Sequence, residues 1–329
     1  MNIMRSVWSC IWCALASALA WPGCVAAAAA VYPDKPIRMI VAFAPSGGSD
    51  TAARIIAQRL SSVLGQQVVV DNRPGASGNL GHDLGAKATP DGYTLLWCSI
   101  GPMAVNVSLY RKLPYQPLRD FEPITLTADS INALVVHPGV PVTTVKEFIA
   151  LAKAQPGNLN YGSSGNGGAG HLAGELFNMM AGVNIVHIPY KGGGPAMLDL
   201  MGGQIQAIYA TLVTALPQIR AGKIRGVAVT RAVRAPMIPE LPTIAEGGLA
   251  GYEATNWYGI VAPARTSRPM IVQLNRDILK VLETQDVKDA FFAQGMLPQT
   301  STPEAFRAHI KSEIEKWGAV IKRIGIRAD

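Results

Sequence analysis

The residues of this chain with the most chemical promise are among its smallest. Asn160-Tyr161-Gly162-Ser163-Ser164-Gly165-Asn166-Gly167-Gly168-Ala169-Gly170-His171 runs from a short strand through a small-residue loop, residues 163–168, into a helix with Leu172, Leu176, Met179 and Met180 on one stripe. Glycines let such a loop take positive φ and keep side chains out of a ligand's way. The unpaired N–H groups of the helix start, at the positive end of its dipole, then face whatever enters, which suits an anion. A counterpart lies far upstream: a strand over 37–43, the loop Pro45-Ser46-Gly47-Gly48-Ser49, and a helix starting near Asp50 and Thr51. Two such devices about a domain apart predict a cleft that grips one anionic guest from both sides.

Other chemistries fit the same residues less well. Gly165-x-Gly167-x-x-Gly170 follows a strand and opens a helix, as a dinucleotide fingerprint does, but the next strand ends His187-Ile188-Pro189-Tyr190-Lys191 without the carboxylate that would hold a ribose. His171 and Glu175 share a helix face and, with His187, could make part of a metal site; a local hydrogen bond or ion pair is the simpler reading. Gly162-Ser163-Ser164-Gly165-Asn166 fails the Gly-x-Ser-x-Gly nucleophile pattern at its fifth position. No catalytic residue, metal or cofactor is therefore expected. Asp50 reads first as a helix cap and second as a ligand contact; Arg54 reads as a solvated face, and Arg73 as a carboxylate partner or an exposed loop residue.

The elements that must position these loops alternate. After the first loop, Ile56, Leu60, Val63 and Leu64 mark a helix that stops at Gly65. A strand over 67–71 runs into Asn72-Arg73-Pro74-Gly75-Ala76-Ser77-Gly78-Asn79, a second permissive loop, and a third strand covers 93–97. This order predicts an α/β lobe with a mostly parallel sheet and ligands beyond the carboxyl ends of its strands. Residues 121–138 read as one or two strands crossing to a second lobe. A capping box at Thr144 and Glu147 opens a helix there. Strands at 184–190, 204–209 and 223–230 follow, with a return crossing near 236–242 and a late strand at 257–262. The last helix, capped by Thr302, aligns Phe306, Ile310, Ile314, Trp317, Ile321 and Ile324 on one face. The expected division is 31–130 plus 231–329 for lobe 1 and 131–230 for lobe 2.

Residues 1–30 read as a secretory signal peptide: Arg5, an apolar stretch over 7–20, then small residues up to Ala30 that suit cleavage. Cys10, Cys13 and Cys24 lie within it, so Cys98 alone remains and stability must come from a core. The formal charge of +7, or +6 without Arg5, is scattered, with no run of Lys or Arg; that argues against nucleic acid and suits a small anion.

Several motifs resemble those of the Bug family, the extracytoplasmic solute receptors of tripartite tricarboxylate transporters. They are Phe43-Ala44-Pro45-Ser46-Gly47-Gly48-Ser49-Asp50, the loop Asn72 to Asn79, Tyr161-Gly162-Ser163-Ser164-Gly165, Pro189-Tyr190-Lys191-Gly192, Ala215-Leu216-Pro217-Gln218-Ile219-Arg220-Ala221-Gly222-Lys223 and Leu241-Pro242-Thr243-Ile244-Ala245-Glu246. The resemblance implies a type II periplasmic-binding-protein fold: two α/β lobes, two crossing strands, and a carboxylate held in the interlobe cleft by backbone N–H groups and bridging waters. It implies export to the periplasm, membrane transporter subunits as partners, a monomeric receptor, and no enzyme activity. The expected ligand contacts are Ser46, Gly47, Asp50, Ala76, Ser77, Ser163, Ser164, Gly165, Gly168, His171, Tyr190 and Thr211. Where many family members carry an Asp-Asn type pair, this chain has Ala210-Thr211, which disfavours an ammonium-bearing guest. A sensory role, or an exported enzyme acting on organic acids, are the alternatives.

Overall fold

The computed structural model describes residues 32–327, so the signal-peptide expectation and Cys10, Cys13 and Cys24 lie outside the described residues. From Lys35 onward the chain forms one compact unit built on two sheets. Its first part supplies β1 (Ile37–Val41), α1 (Gly48–Leu64), β2 (Val68–Asn72), a short turn at Ala76–Gly78, α2 (Asn79–Ala86), β3 (Thr94–Ser99), a second turn at Gly101–Val105, α3 (Asn106–Leu109), α4 (Pro117–Asp120) and β4 (Phe121–Ser130). The middle supplies β5 (Asn132–Val136), α5 (Val145–Ala154), β6 (Asn160–Ser163), α6 (Ala169–Ala181), β7 (Val186–Pro189), α7 (Gly193–Met201), β8 (Ala207–Thr211), α8 (Leu212–Arg220) and β9 (Arg225–Val229). The chain ends with β10 (Asn256–Pro263), α9 (Arg268–Glu283), α10 (Gln285–Ala293), β11 (Met296–Pro298) and α11 (Pro303–Ile324).

The strand order is β11-β4-β10-β3-β1-β2 in the first sheet and β7-β6-β8-β5-β9 in the second. Both are mixed rather than mostly parallel. Only β1 with β2 and β3, and β6 with β7 and β8, pair in parallel, while β4, β5, β9, β10 and β11 pair antiparallel. The reason is topological: a parallel neighbour needs a crossover helix over the same sheet, and strands that pass straight from one sheet to the other have none.

That passage also decides where the loops lie. In β1, β2 and β3 the carboxyl ends are level, Val41 facing both Asn72 and Trp97. Through β10, β4 runs in the same sense as β3, so Ser130 reaches the same edge as Ser99. One residue later β5 begins the second sheet, with Asn132 opposite Thr211 at the carboxyl end of β8. The Leu212 N–H donates to Ile131 O at 2.7 Å, and the Thr230 N–H to Asn132 O at 2.9 Å. Joined there, the two carboxyl edges face each other.

The return differs from expectation. Residues 231–254 stay with the second sheet: Thr243 bridges Val229, the Tyr252 hydroxyl donates to Ala173 O at 2.8 Å, and Ala235, Met237 and Ile238 bury against Ala133, Leu200 and Val229. The chain re-enters the first sheet at Asn256, so lobe 1 resumes some 25 residues after the expected boundary. Its apolar residues there follow neither helical nor strand period, so their partner could not be read from spacing.

Local signals fared better. Thr144 and Glu147 make both bonds of a capping box, and Thr302 accepts the Ala305 N–H. Phe306, Ile310, Trp317 and Ile321 are buried, and the indoles of Trp257 and Trp317 both donate to Glu313. α11 thus braces β4 and the turn at 101–105.

Candidate functional site

In the first loop the N-cap of α1 is Gly47, not Asp50. Asp50 sits three residues on and reaches back: its carboxylate accepts the Ser46 N–H at 3.0 Å, the Asn72 amide at 2.8 Å and the Arg54 guanidinium at 2.9 Å. Asn72 in turn donates to Phe43 O at 3.0 Å. Burial pushes the Asp50 carboxyl up, but Arg54, Asn72 and the Ser46 N–H outweigh it and hold it below the usual carboxylate range. Asp50 is therefore a knot that shapes the loop, with its oxygens already engaged. Arg54 is spent on that knot and Arg73 pairs with Asp71, so neither is the free cation the sequence allowed.

The knot leaves Ser46 at φ 66°, and the neighbouring turn holds Ala76 and Ser77 at 46° and 54°. Three of the four non-glycine residues with positive φ among the described residues thus sit in the expected contact loops, and such strain concentrates at functional sites. Among the described residues the N–H groups of Gly48, Ser49 and Asp50, in the first turn of α1, have no acceptor, and the buried Ser49 Oγ has no partner. Asp50→Ala is expected to cost about 2 kcal/mol by stranding the Asn72 amide and the Ser46 N–H; a urea titration checks this, and an unchanged midpoint would mean the knot is not tight.

In the second lobe, Ser163 is buried and spent internally. Its hydroxyl donates to Gly165 O, accepts the Gly165 N–H at 3.2 Å, and lies 2.7 Å from His187 Nε2. His171 is buried too, and its Nδ1 accepts the Gly167 N–H at 3.1 Å. The rings of His171 and His187 stack with centroids 4.0 Å apart. Burial pushes His171 down to about 4, and burial with the His171 neighbour pushes His187 to about 3, so both are neutral near pH 7. The Glu175 carboxylate accepts the Tyr161 hydroxyl at 2.7 Å. No group of three or more His, Cys, Asp or Glu that could hold a metal ion occurs among the described residues. The N–H groups of Ala169, Gly170 and His171 open α6 without acceptors among the described residues.

Glycine contacts join the two lobes. A Cβ built on Gly48 would lie 3.3 Å from Thr211 Oγ1 and 3.4 Å from the Tyr258 hydroxyl; one on Gly165 would lie 3.5 Å from Ser77 Oγ and 3.4 Å from Tyr190 O. Gly101 faces Gly167 O, and Gly167 faces Asn106. The loops carrying Ser46, Gly47, Ala76, Ser77, Ser164, Gly165, Gly168, Tyr190 and Thr211 therefore meet along one interlobe seam. Asp50 and Ser163 belong to its scaffold, their side-chain oxygens engaged by the protein, and His171 gives its Nδ1 to the Gly167 N–H. The Tyr190 hydroxyl is likewise given to Asp199 at 2.7 Å and its ring lies over Gly162, leaving its carbonyl beside Gly165.

Sequence reasoning missed Gly48, Ser49, Gly101, Asn106 and Tyr258 at this seam, and His82 buried behind it in the first lobe. Most carry no local signal. His82 did: Gly78-Asn79-Leu80-Gly81-His82 repeats the spacing of Gly167-Gly168-Ala169-Gly170-His171.

The family model described as tripartite tricarboxylate transporter family receptor matches residues 52–326. The sequence is similar to protein BugT of Bordetella pertussis, 40% identical over 297 residues that span 90% of this chain and 91% of that protein. Among solved structures, Rpa4515 of R. palustris with adipate superimposes with a TM-score of 0.87 at 38% identity, covering 90% of this chain and 99% of the other. MatC of Rhodopseudomonas palustris with bound malate gives 0.83 at 31% identity, covering 88% and 100%.

Proposed function

Because the chain belongs to the tripartite tricarboxylate transporter receptor family, the Bug family, we propose that it is a monomeric periplasmic receptor that captures a small dicarboxylate or other organic acid and delivers it to the membrane subunits of such a transporter. The observation that carries this reading is the seam itself. Helix starts from both lobes bring open N–H groups and Ser, Thr and Tyr hydroxyls together, and the cations nearest the first loop, Arg54 and Arg73, are tied to carboxylates. Such donors replace the water shell of a carboxylate, and a guest touching both lobes favours their approach. Adipate and malate in the two solved relatives agree with that chemistry.

At Ala210-Thr211 the chain offers the Thr211 hydroxyl beside Gly48 and no carboxylate, so an amino acid lacks a counter-charge there. Thermal-shift and calorimetric titrations with adipate, malate, citrate and aspartate test the proposal. A bound dicarboxylate at 100 times its Kd should add about 2.7 kcal/mol of stability, and aspartate should add far less. If none of these acids binds the folded protein, the receptor reading falls; if aspartate binds best, the inference from Thr211 falls.

A further inference from the structure

Both lobes end a contact loop with the same five-residue device. The first glycine, Gly78 or Gly167, has positive φ, at 90° and 74°. The second, Gly81 or Gly170, lets the helix press on a strand: a Cβ there would lie 2.7 Å from Ala42 Cβ or 2.6 Å from Tyr209 O. The histidine then turns back to the first glycine through Nδ1. His82 Nδ1 lies 2.9 Å from Gly78 O, and a carbonyl only accepts, so His82 carries its proton on Nδ1. His171 Nδ1 accepts the Gly167 N–H, so it must be bare and its proton sits on Nε2. The same spacing thus holds a carbonyl in one lobe and an N–H in the other.

In the second lobe the device has a further layer. His187, from β7, stacks on His171 and holds Ser163 Oγ, which clasps both the N–H and the carbonyl of Gly165. The groups facing the pair are few: Tyr161 from β6, whose ring lies 5.0 Å from His187, and Glu175 one turn along α6, already bonded to Tyr161. No ion pair joins Glu175 to either imidazole among the described residues.

We infer that His171 and His187 are positioning residues: through Gly167 and Ser163 they fix the directions of the Ser163–Gly168 loop that receives the guest, and His82 does the same for the Ala76–Gly78 turn. Tight binding by backbone N–H groups requires donors held in place before the ligand arrives. A loop rich in glycine cannot hold itself, since glycine has the widest conformational freedom. The buried imidazoles supply the missing constraint. The ligand half of this inference rests on the receptor reading; the loop half does not.

The test pairs His171→Asn with His171→Phe in the purified protein. An asparagine can still accept the Gly167 N–H, whereas a phenylalanine keeps a flat ring on His187 but accepts nothing. Amide exchange at Gly167 is expected to quicken in the phenylalanine variant and not in the asparagine variant. Adipate affinity is expected to fall roughly tenfold in the former and much less in the latter. The reverse order, with phenylalanine harmless and asparagine damaging, would assign the ring to packing alone and overturn the inference. If adipate, malate, citrate and aspartate bind neither the variants nor the parent, the receptor reading fails while Gly167 exchange still decides the loop half. Should the phenylalanine variant not fold, Ser163→Ala, which removes the clasp and leaves both imidazoles, must loosen the Gly165 amide; an unchanged Gly165 exchange rate then refutes the proposal.

Discussion

Acidification from pH 6.5 to about pH 4 is expected to remove most of this protein's folding stability. His82 and His171 are pushed down from 6.5 to about 4 and His187 to about 3, in each case chiefly by burial. A histidine whose folded pKa is depressed leaves the unfolded chain binding more protons between the two values, so stability falls as pH drops through that window. Over the fall to pH 4 each contributes at most about 3 kcal/mol, against a typical total of 5–15 kcal/mol. Burial raises the carboxyls of Glu175 and Asp129, which works in the opposite sense and offsets part of the loss. The depressed Asp50 carboxyl adds a further loss only below the ordinary carboxylate range.

Urea titrations of the ligand-free protein at pH 7, 5.5 and 4.5 should show a falling midpoint with a constant slope. His171→Asn should flatten the profile by removing one of the four histidines that burial depresses, His309 being the fourth. A midpoint that does not move between pH 7 and pH 4.5 would show that these imidazoles are not held neutral in the fold.

The second large effect concerns closure. Gly101 has an ordinary φ, and the three atoms nearest to a Cβ built there all belong to the opposite lobe, with Gly167 O at 3.0 Å. The nearest neighbours of a Cβ at this position thus lie across the seam, and a side chain there acts as a wedge in it. Gly101→Leu is expected to fold normally, to enlarge the radius of gyration measured by X-ray scattering, and to weaken the best-bound dicarboxylate by about a hundredfold, roughly 2.7 kcal/mol. Gly65→Ala, where a Cβ meets no neighbouring atom within 4 Å but the φ of 67° disfavours it, is a useful contrast: it should cost stability and leave affinity alone. Parental affinity in Gly101→Leu would mean the lobes need not meet at Gly167 to hold a guest.

How much of this was legible beforehand depends on the distance over which each signal acts. The Thr144 capping box, the Thr302 cap and the apolar face of α11 are set by residues three or four apart, so the sequence alone determined them. The glycine loops, their helix starts and the family likeness were equally local. What polar atoms do inside those loops was not. Asp50 is spent on Asn72, 22 residues away, and Ser163 on His187, 24 residues away. A hydroxyl or carboxylate beside a glycine loop reads the same whether it faces a guest or a neighbour. Only the fold brings the competing partner within hydrogen-bond reach, and for the same reason the allegiance of residues 231–254 to the second sheet was decided by the tertiary structure.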